Sequence, residues 1–120
     1  MTVKLKEIIG AVPALSKLSS GDLNLRLAYQ VRKTISALQK EVDFFSEQRQ
    51  KIFEKYGTAD EDGTYRFGGD SEQEAVKDLD ALLALEVSPE CETIDIPVSE
   101  ELRLSANDLD ALAPFIHFTE

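Results

Sequence analysis

The chain contains no tryptophan and only one cysteine, one histidine and one methionine in 120 residues. Each shortage closes a route. A single thiol, Cys91, cannot form an internal disulfide, so the fold must be held by packing, and a reducing compartment is expected. One histidine, His117, leaves no imidazole cluster for a metal, and none is expected to bind. No apolar run approaches the roughly 18 residues of a membrane span. The opening Met1-Thr2-Val3-Lys4-Leu5-Lys6-Glu7 lacks the apolar stretch and small-residue cleavage site of a secretory signal. Positive charge is scarce too: 13 Lys and Arg stand against 23 Asp and Glu, a net of -10. Such a balance disfavours phosphate backbones and anionic membranes, so no direct nucleic-acid or membrane partner is expected.

The remaining composition is globular. Hydrophobic residues make up 42% and charged residues 30%, and the length suits one domain over residues 1–120. The charge is unevenly placed. Residues 1–56 carry ten basic and six acidic side chains, a net of +4; residues 57–120 carry three basic and seventeen acidic, a net of -14. Either the two halves pack beside each other in one fold, or the acidic half faces a basic partner, for instance by imitating nucleic acid.

Spacing sets the expected elements. Val3 and Leu5 alternate with polar neighbours, as in a very short strand. Ile8, Ala11, Leu15 and Leu18 then give a helix over residues 6–18, with Pro13 removing a backbone donor and kinking it. Ser19-Ser20-Gly21-Asp22 is a turn whose polar side chains can cap the next helix, closing a first segment of residues 1–23. Residues 24–57 hold the strongest signal. Ala28, Val31, Ile35, Leu38, Val42, Phe45, Arg49, Ile52 and Tyr56 recur at alternating steps of three and four, with only Arg49 breaking a coiled-coil-like apolar seam. Such a helix runs roughly 48 Å, whereas a compact globule of this length is about 35 Å across. The monomer is therefore elongated, or the exposed part of the helix packs on another copy.

Gly57 stands where a left-handed cap is expected. Residues 58–70 read as a loop or hairpin, extended around Tyr65 to Phe67. Ser71, with Glu74 completing a capping box, opens a helix within residues 71–87. In the last segment, 88–120, Ile94, Ile96 and Val98 alternate as a strand over 92–98 that Pro97 confines to an edge. Leu102 and Leu104 are read as a second short strand. Ser105 and Asp108 open a final helix that stops near Pro114. The expected fold class is α+β, mainly helical: a long central helix, antiparallel partner helices and a small β-sheet.

Three chemical motifs fail on inspection. Asp60-Glu61-Asp62-Gly63 resembles the middle of a calcium loop, but its terminal ligand positions fall on Thr58 and Gly69. Gly68-Gly69 precedes a helix as a phosphate loop does, yet Asp70, Glu72 and Glu74 already fill the positive end of the helix dipole. A Cys91–His117 nucleophile pair is conceivable but needs a third orienting group and an oxyanion site, and Glu90 and Glu92 suppress the thiolate. No catalytic residues are assigned, no enzyme is expected, and no cofactor is called for.

The aromatics are more informative. Phe44 lies off the seam and shares an angular position with Ala37, while Phe53 lies off it on another side. A helix apolar on more than one face is buried on more than one face, so Phe44, Phe53 and Ala37 are the expected oligomer contacts, with a dimer as the first expectation. Tyr65, Arg66 and Phe67 on their glycine-flanked loop are either a binding element, with Arg32 and Lys33 as further contacts, or a hairpin packed on the helix ends.

Leu27-Ala28-Tyr29-Gln30-Val31, Ala37-Leu38-Gln39-Lys40-Glu41 and Lys51-Ile52-Phe53-Glu54-Lys55-Tyr56-Gly57 together resemble a family of small proteins encoded by bacteriophages and prophages. The acidic glycine turn, Glu86-Val87 and the stretch from Leu104 to Leu112 carry the resemblance over most of the chain. It implies a viral protein acting in the host cell cytoplasm and supplies no catalytic residues. Two functions fit. One is a non-enzymatic binding protein with an anti-defence role, which antagonises a host protein or sequesters a small signalling ligand. The alternative is a particle-assembly or scaffold-type protein whose acidic half docks on a basic virion protein.

Overall fold

The three-and-four spacing becomes helix wherever it occurs. The computed structural model describes residues 1–98 and 102–120 and is 58% helical, a mainly helical α+β fold. Strand β1 (Val3–Lys4) leads directly into α1 (Leu5–Ser19), where the Glu7 carboxylate accepts from the Lys4 amide at 3.2 Å and ties down the first turn. Helix α1 carries the densest part of the core, with Leu5, Ile8, Ala11, Ala14, Leu15 and Leu18 all buried. Pro13 sits on its exposed side, and the helix continues past it for six residues.

Helix α2 (Leu25–Tyr56) is 32 residues long. Its cap is Asn24, whose side chain accepts from the Leu27 amide at 3.0 Å; the serines of the preceding turn bond back to Ser16 instead. The buried stripe begins one position earlier than the seam expected from sequence: Leu27, Val31, Thr34 and Leu38 are buried, and Ala28 is exposed. Ile35, Val42 and Phe45 continue the stripe as half-buried residues packed on the core. At ~1.5 Å per residue the helix alone spans about 48 Å. The whole molecule measures 52 × 29 × 23 Å, and its radius of gyration of 17.2 Å exceeds the roughly 14 Å of a compact chain this size. The chain is elongated because one helix sets its length.

Three separate two-stranded ladders stand, among the described residues, where one small sheet was expected. β1 pairs antiparallel with β4 (Glu86–Val87), and β2 (Thr58–Ala59) pairs antiparallel with β3 (Tyr65–Arg66). β5 (Ile94–Pro97) pairs in parallel with β6 (Ile116–Thr119), with α4 (Ala106–Leu112) in the connection. This unit packs on α1 through α4, and it buries Ile94, Ile96, Leu112, Phe115 and Ile116. Leu102 and Leu104 are not in a strand; both side chains pack against the core from an irregular segment. Residues 99–101 of the expected 88–120 segment lie outside the described residues.

Helix α3 (Asp70–Leu83) packs on α2. It begins one residue before the expected start. Gly69, at φ 54°, is its N-cap, so neither Ser71 nor Glu74 forms the expected capping box. The box at α4 does form. Ser105 Oγ accepts from the Asp108 amide at 3.1 Å, and Asp108 Oδ2 accepts from the Ser105 amide at 3.0 Å.

Asp108 also receives Lys17 Nζ from α1 at 3.1 Å, joining the two helices. The Ser105 amide first, and Lys17 next, hold its carboxyl below the ordinary range. A lowered folded pKa contributes stability that is complete above the unfolded value of about 4 and is lost as pH falls through the folded value. Asp108→Asn should therefore melt below wild type at neutral pH. Thermal melts followed by circular dichroism should show that gap closing below about pH 4.

Candidate functional site

The long helix carries two candidate regions far apart. Lys33 and Phe53 are twenty residues apart on α2, about 30 Å along its axis. The expected grouping of Tyr65, Arg66 and Phe67 with Arg32 and Lys33 is therefore not one site.

At the far end, the β2–β3 hairpin folds back on α2. Gly63, at φ 85°, makes the turn, and the Asp60 amide donates to the Thr64 carbonyl at 2.8 Å. Asp62 Oδ1 accepts from the Thr64 amide at 3.1 Å, which holds the Asp62 carboxyl below its ordinary range. Arg66 Nε meets Asp60 Oδ2 at 2.8 Å. The Phe53 ring lies 5.7 Å from that of Tyr65 and 5.6 Å from that of Phe67, with the Arg49 guanidinium 4.3 Å above it. Gln50 Nε2 donates to the Tyr65 hydroxyl at 2.8 Å. The aromatic pair is thus engaged in docking the hairpin. Phe53 is covered within its own chain, which removes the reason for placing it at an oligomer contact. Arg49 does not interrupt the helix surface; it caps the ring cluster.

Gly57 is extended, at φ -108° and ψ 165°, so the expected left-handed cap does not form. Its glycine is required by close approach: a Cβ there would lie 2.9 Å from the Phe53 carbonyl oxygen and 3.0 Å from the Phe67 ring. Tyr56 Oη, one residue earlier, donates to Asp78 Oδ2 at 2.7 Å and fixes this end of α2 to α3.

At the near end, an open cleft of about 570 Å³ separates α2 from the segment 89–94. Gln30, Lys33 and Thr34 form the helix wall. Glu90, Cys91 and Glu92 stand on the other, ahead of Thr93 and Ile94, where the chain enters β5. The wall is placed by packing: Pro89 and Ile94 are buried on either side of the acidic stretch. Of the basic residues expected as contacts, Lys33 lines the cleft, with its ammonium 5.7 Å from the Tyr29 ring centroid, and Arg32 is exposed outside it.

Thr34 is 3% exposed, and its hydroxyl has no hydrogen-bond partner among the described residues. Thr34 lines the cleft, and no fully buried side-chain nitrogen or oxygen among the described residues lacks a partner. Cys91 is half-buried, 4.0 Å from Met1 Sδ, and burial raises its thiol pKa. His117 bonds Asp95 through Nδ1 at 3.1 Å on the β5–β6 ladder. Sequence reasoning missed Thr34 and the 89–94 wall. Thr34 lies among Val31, Ile35 and Leu38 in a stripe that reads as core.

Phe44 is 38% exposed on α2, and Ala37 is half-buried. No cluster of three or more metal-ligating side chains occurs among the described residues.

Gly57→Ala should cost about 1–3 kcal/mol, because the new methyl forces the Phe67 ring or the helix end to move. Urea denaturation should show the loss, and limited proteolysis should cut faster at residues 58–69. Comparison with protein-family models, with curated proteins and with solved structures gave no match.

Proposed function

We propose that the protein acts without catalysis, by occupancy: it holds a small polar ligand in the cleft between α2 and residues 89–94. The observation that carries this reading is the cleft itself, of ligand size and open, with the hydroxyl-bearing Thr34 at its helix wall. A Cys91 thiol pKa raised by burial supports a binding role over a nucleophilic one. With the resemblance to bacteriophage proteins, the reading becomes sequestration of a host signalling ligand in the host cytoplasm, an anti-defence role. No helix among the described residues is long and apolar enough to cross a membrane.

A homodimer belongs to the same proposal. Among the described residues Phe44 has no ring partner, in contrast to Phe53, and it stands exposed on α2 with half-buried Ala37 near it on the same side. The assembly reading draws on α3, where Asp70, Glu72, Glu74 and Asp80 are exposed and suit a basic virion surface.

Native mass spectrometry of protein exposed to bacterial lysate tests both parts. Wild type should appear as a dimer carrying extra mass in the small-molecule range. Phe44→Asp should shift it to monomer, and Thr93→Trp, which fills the cleft, should lose the extra mass while keeping the dimer. A clean protein mass overturns sequestration, and an unchanged dimer in Phe44→Asp removes Phe44 from the interface.

A further inference from the structure

The two walls of the cleft carry opposite charge. The helix wall contributes one cation, Lys33, and the facing segment contributes two carboxylates, Glu90 and Glu92. None of the three forms an ion pair within the described residues; the ion pairs there are Lys17–Asp108, Arg66–Asp60 and His117–Asp95. Gln30, Thr34 and Thr93 add neutral hydrogen-bonding groups. A ligand with a single charge satisfies one wall and is repelled by the other. A ligand with charges of both signs satisfies both.

Resting on the reading of this cleft as a ligand site, we propose that it takes a small zwitterion of the amino-acid or short-peptide class. The carboxylate faces Lys33, the ammonium faces Glu90 and Glu92, and the Thr34 hydroxyl completes the hydrogen bonding. Thr34 supplies what the exposed charges lack. Solvated ion pairs contribute little, whereas Thr34, only 3% exposed at the cleft wall, offers a hydroxyl on a side chain the fold already holds. The local charge of one cation and two carboxylates argues against nucleotides and other polyanions. The volume of about 570 Å³ leaves room for a dipeptide.

The test is an amide-resolved NMR titration of the full chain with pools of the common L-amino acids and of dipeptides. Each binder is then compared with its N-acetylated and C-amidated forms. Saturable shifts should centre on Gln30, Lys33, Thr34 and residues 90–94. Blocking either terminus of the ligand should weaken binding about two- to fivefold, the range of an exposed charge pair.

Lys33→Met should weaken the parent ligand and make C-amidation inconsequential. Glu90→Gln with Glu92→Gln should do the same for N-acetylation. Thr34→Val, close in volume, should weaken every form equally. A binder indifferent to blocking at either end overturns the zwitterion assignment, as does the absence of any shift across both pools. If a small-molecule mass is still captured from lysate while both pools are silent, the cleft remains a ligand site and only the ligand class falls. If neither is seen, both fall together.

Discussion

The apolar stripe of α2 is longer than any single partner can cover. A helix of 32 residues presents about 48 Å of half-apolar surface, and the other helices have 15, 14 and 7 residues. The stripe must therefore be covered in pieces. α1 takes the first half and lies between α2 and α4, which is why its apolar residues are the most completely buried in the chain. α3 and the hairpin take the second half, where cover is thinner: α2 residues past Leu38 are at best half-buried. Tyr56 bonded to Asp78 and the Phe53 ring cluster hold that thinner half in place.

Piecewise cover also explains the cleft. The ladder β5–β6 is fixed on the α1 side of the molecule by Ile94, Ile96, Phe115 and Ile116, and the chain reaches it from β4, which is pinned to β1. Between those two anchors, residues 88–93 cross past α2 with Pro89 buried and their acidic side chains exposed. α2 meets this crossing along Gln30, Lys33 and Thr34, a flank of the helix that α1 does not occupy. Thr34 is buried and lines the gap. The site is thus a consequence of how the stripe is shared out, and it needs no special motif.

That origin decides what the sequence could reveal. The long helix, its neighbours and the α4 capping box were legible because periodicity and Ser105–Asp108 spacing are local. The β6 strand is equally local, since Ile116-His117-Phe118-Thr119 alternates, but Pro114 just ahead of it reads as the end of regular structure and hides it. Leu27 against Ala28 differs by one position in a stripe, a choice made by α1 and not by α2 itself. A hairpin packed on the helix ends is one of the two readings of Tyr65 to Phe67 and is the one the fold adopts, but its partner was not legible. Tyr65 and Phe67 are consumed by Phe53, twelve and fourteen residues earlier, and only the fold shows that contact. For the same reason the cleft was invisible: Lys33 and Glu92 are 59 residues apart, and each looks like an ordinary surface charge.

The division of charge along the chain takes on a physical meaning in this geometry. The net of -10 favours cations over anions at long range, but at physiological salt a charge is screened beyond about 8 Å, so a ligand in the cleft responds to its immediate walls. Those walls come from the two electrostatic halves: the helix wall from the basic residues 1–56, the facing wall from the acidic residues 57–120. Elsewhere on α2, Arg26, Arg32 and Lys40 are exposed, and most carboxylates of α3 and of the acidic turn are exposed as well. At the cleft the halves confront each other, and Lys33 forms no ion pair with Glu90 or Glu92 among the described residues. Two opposite charges held apart by the fold cannot neutralise each other without closing the gap, which Pro89 and Ile94 oppose by being buried in place. A molecule carrying both signs can bridge that separation with its own charges, and this complementarity favours a zwitterion over an ion of either sign.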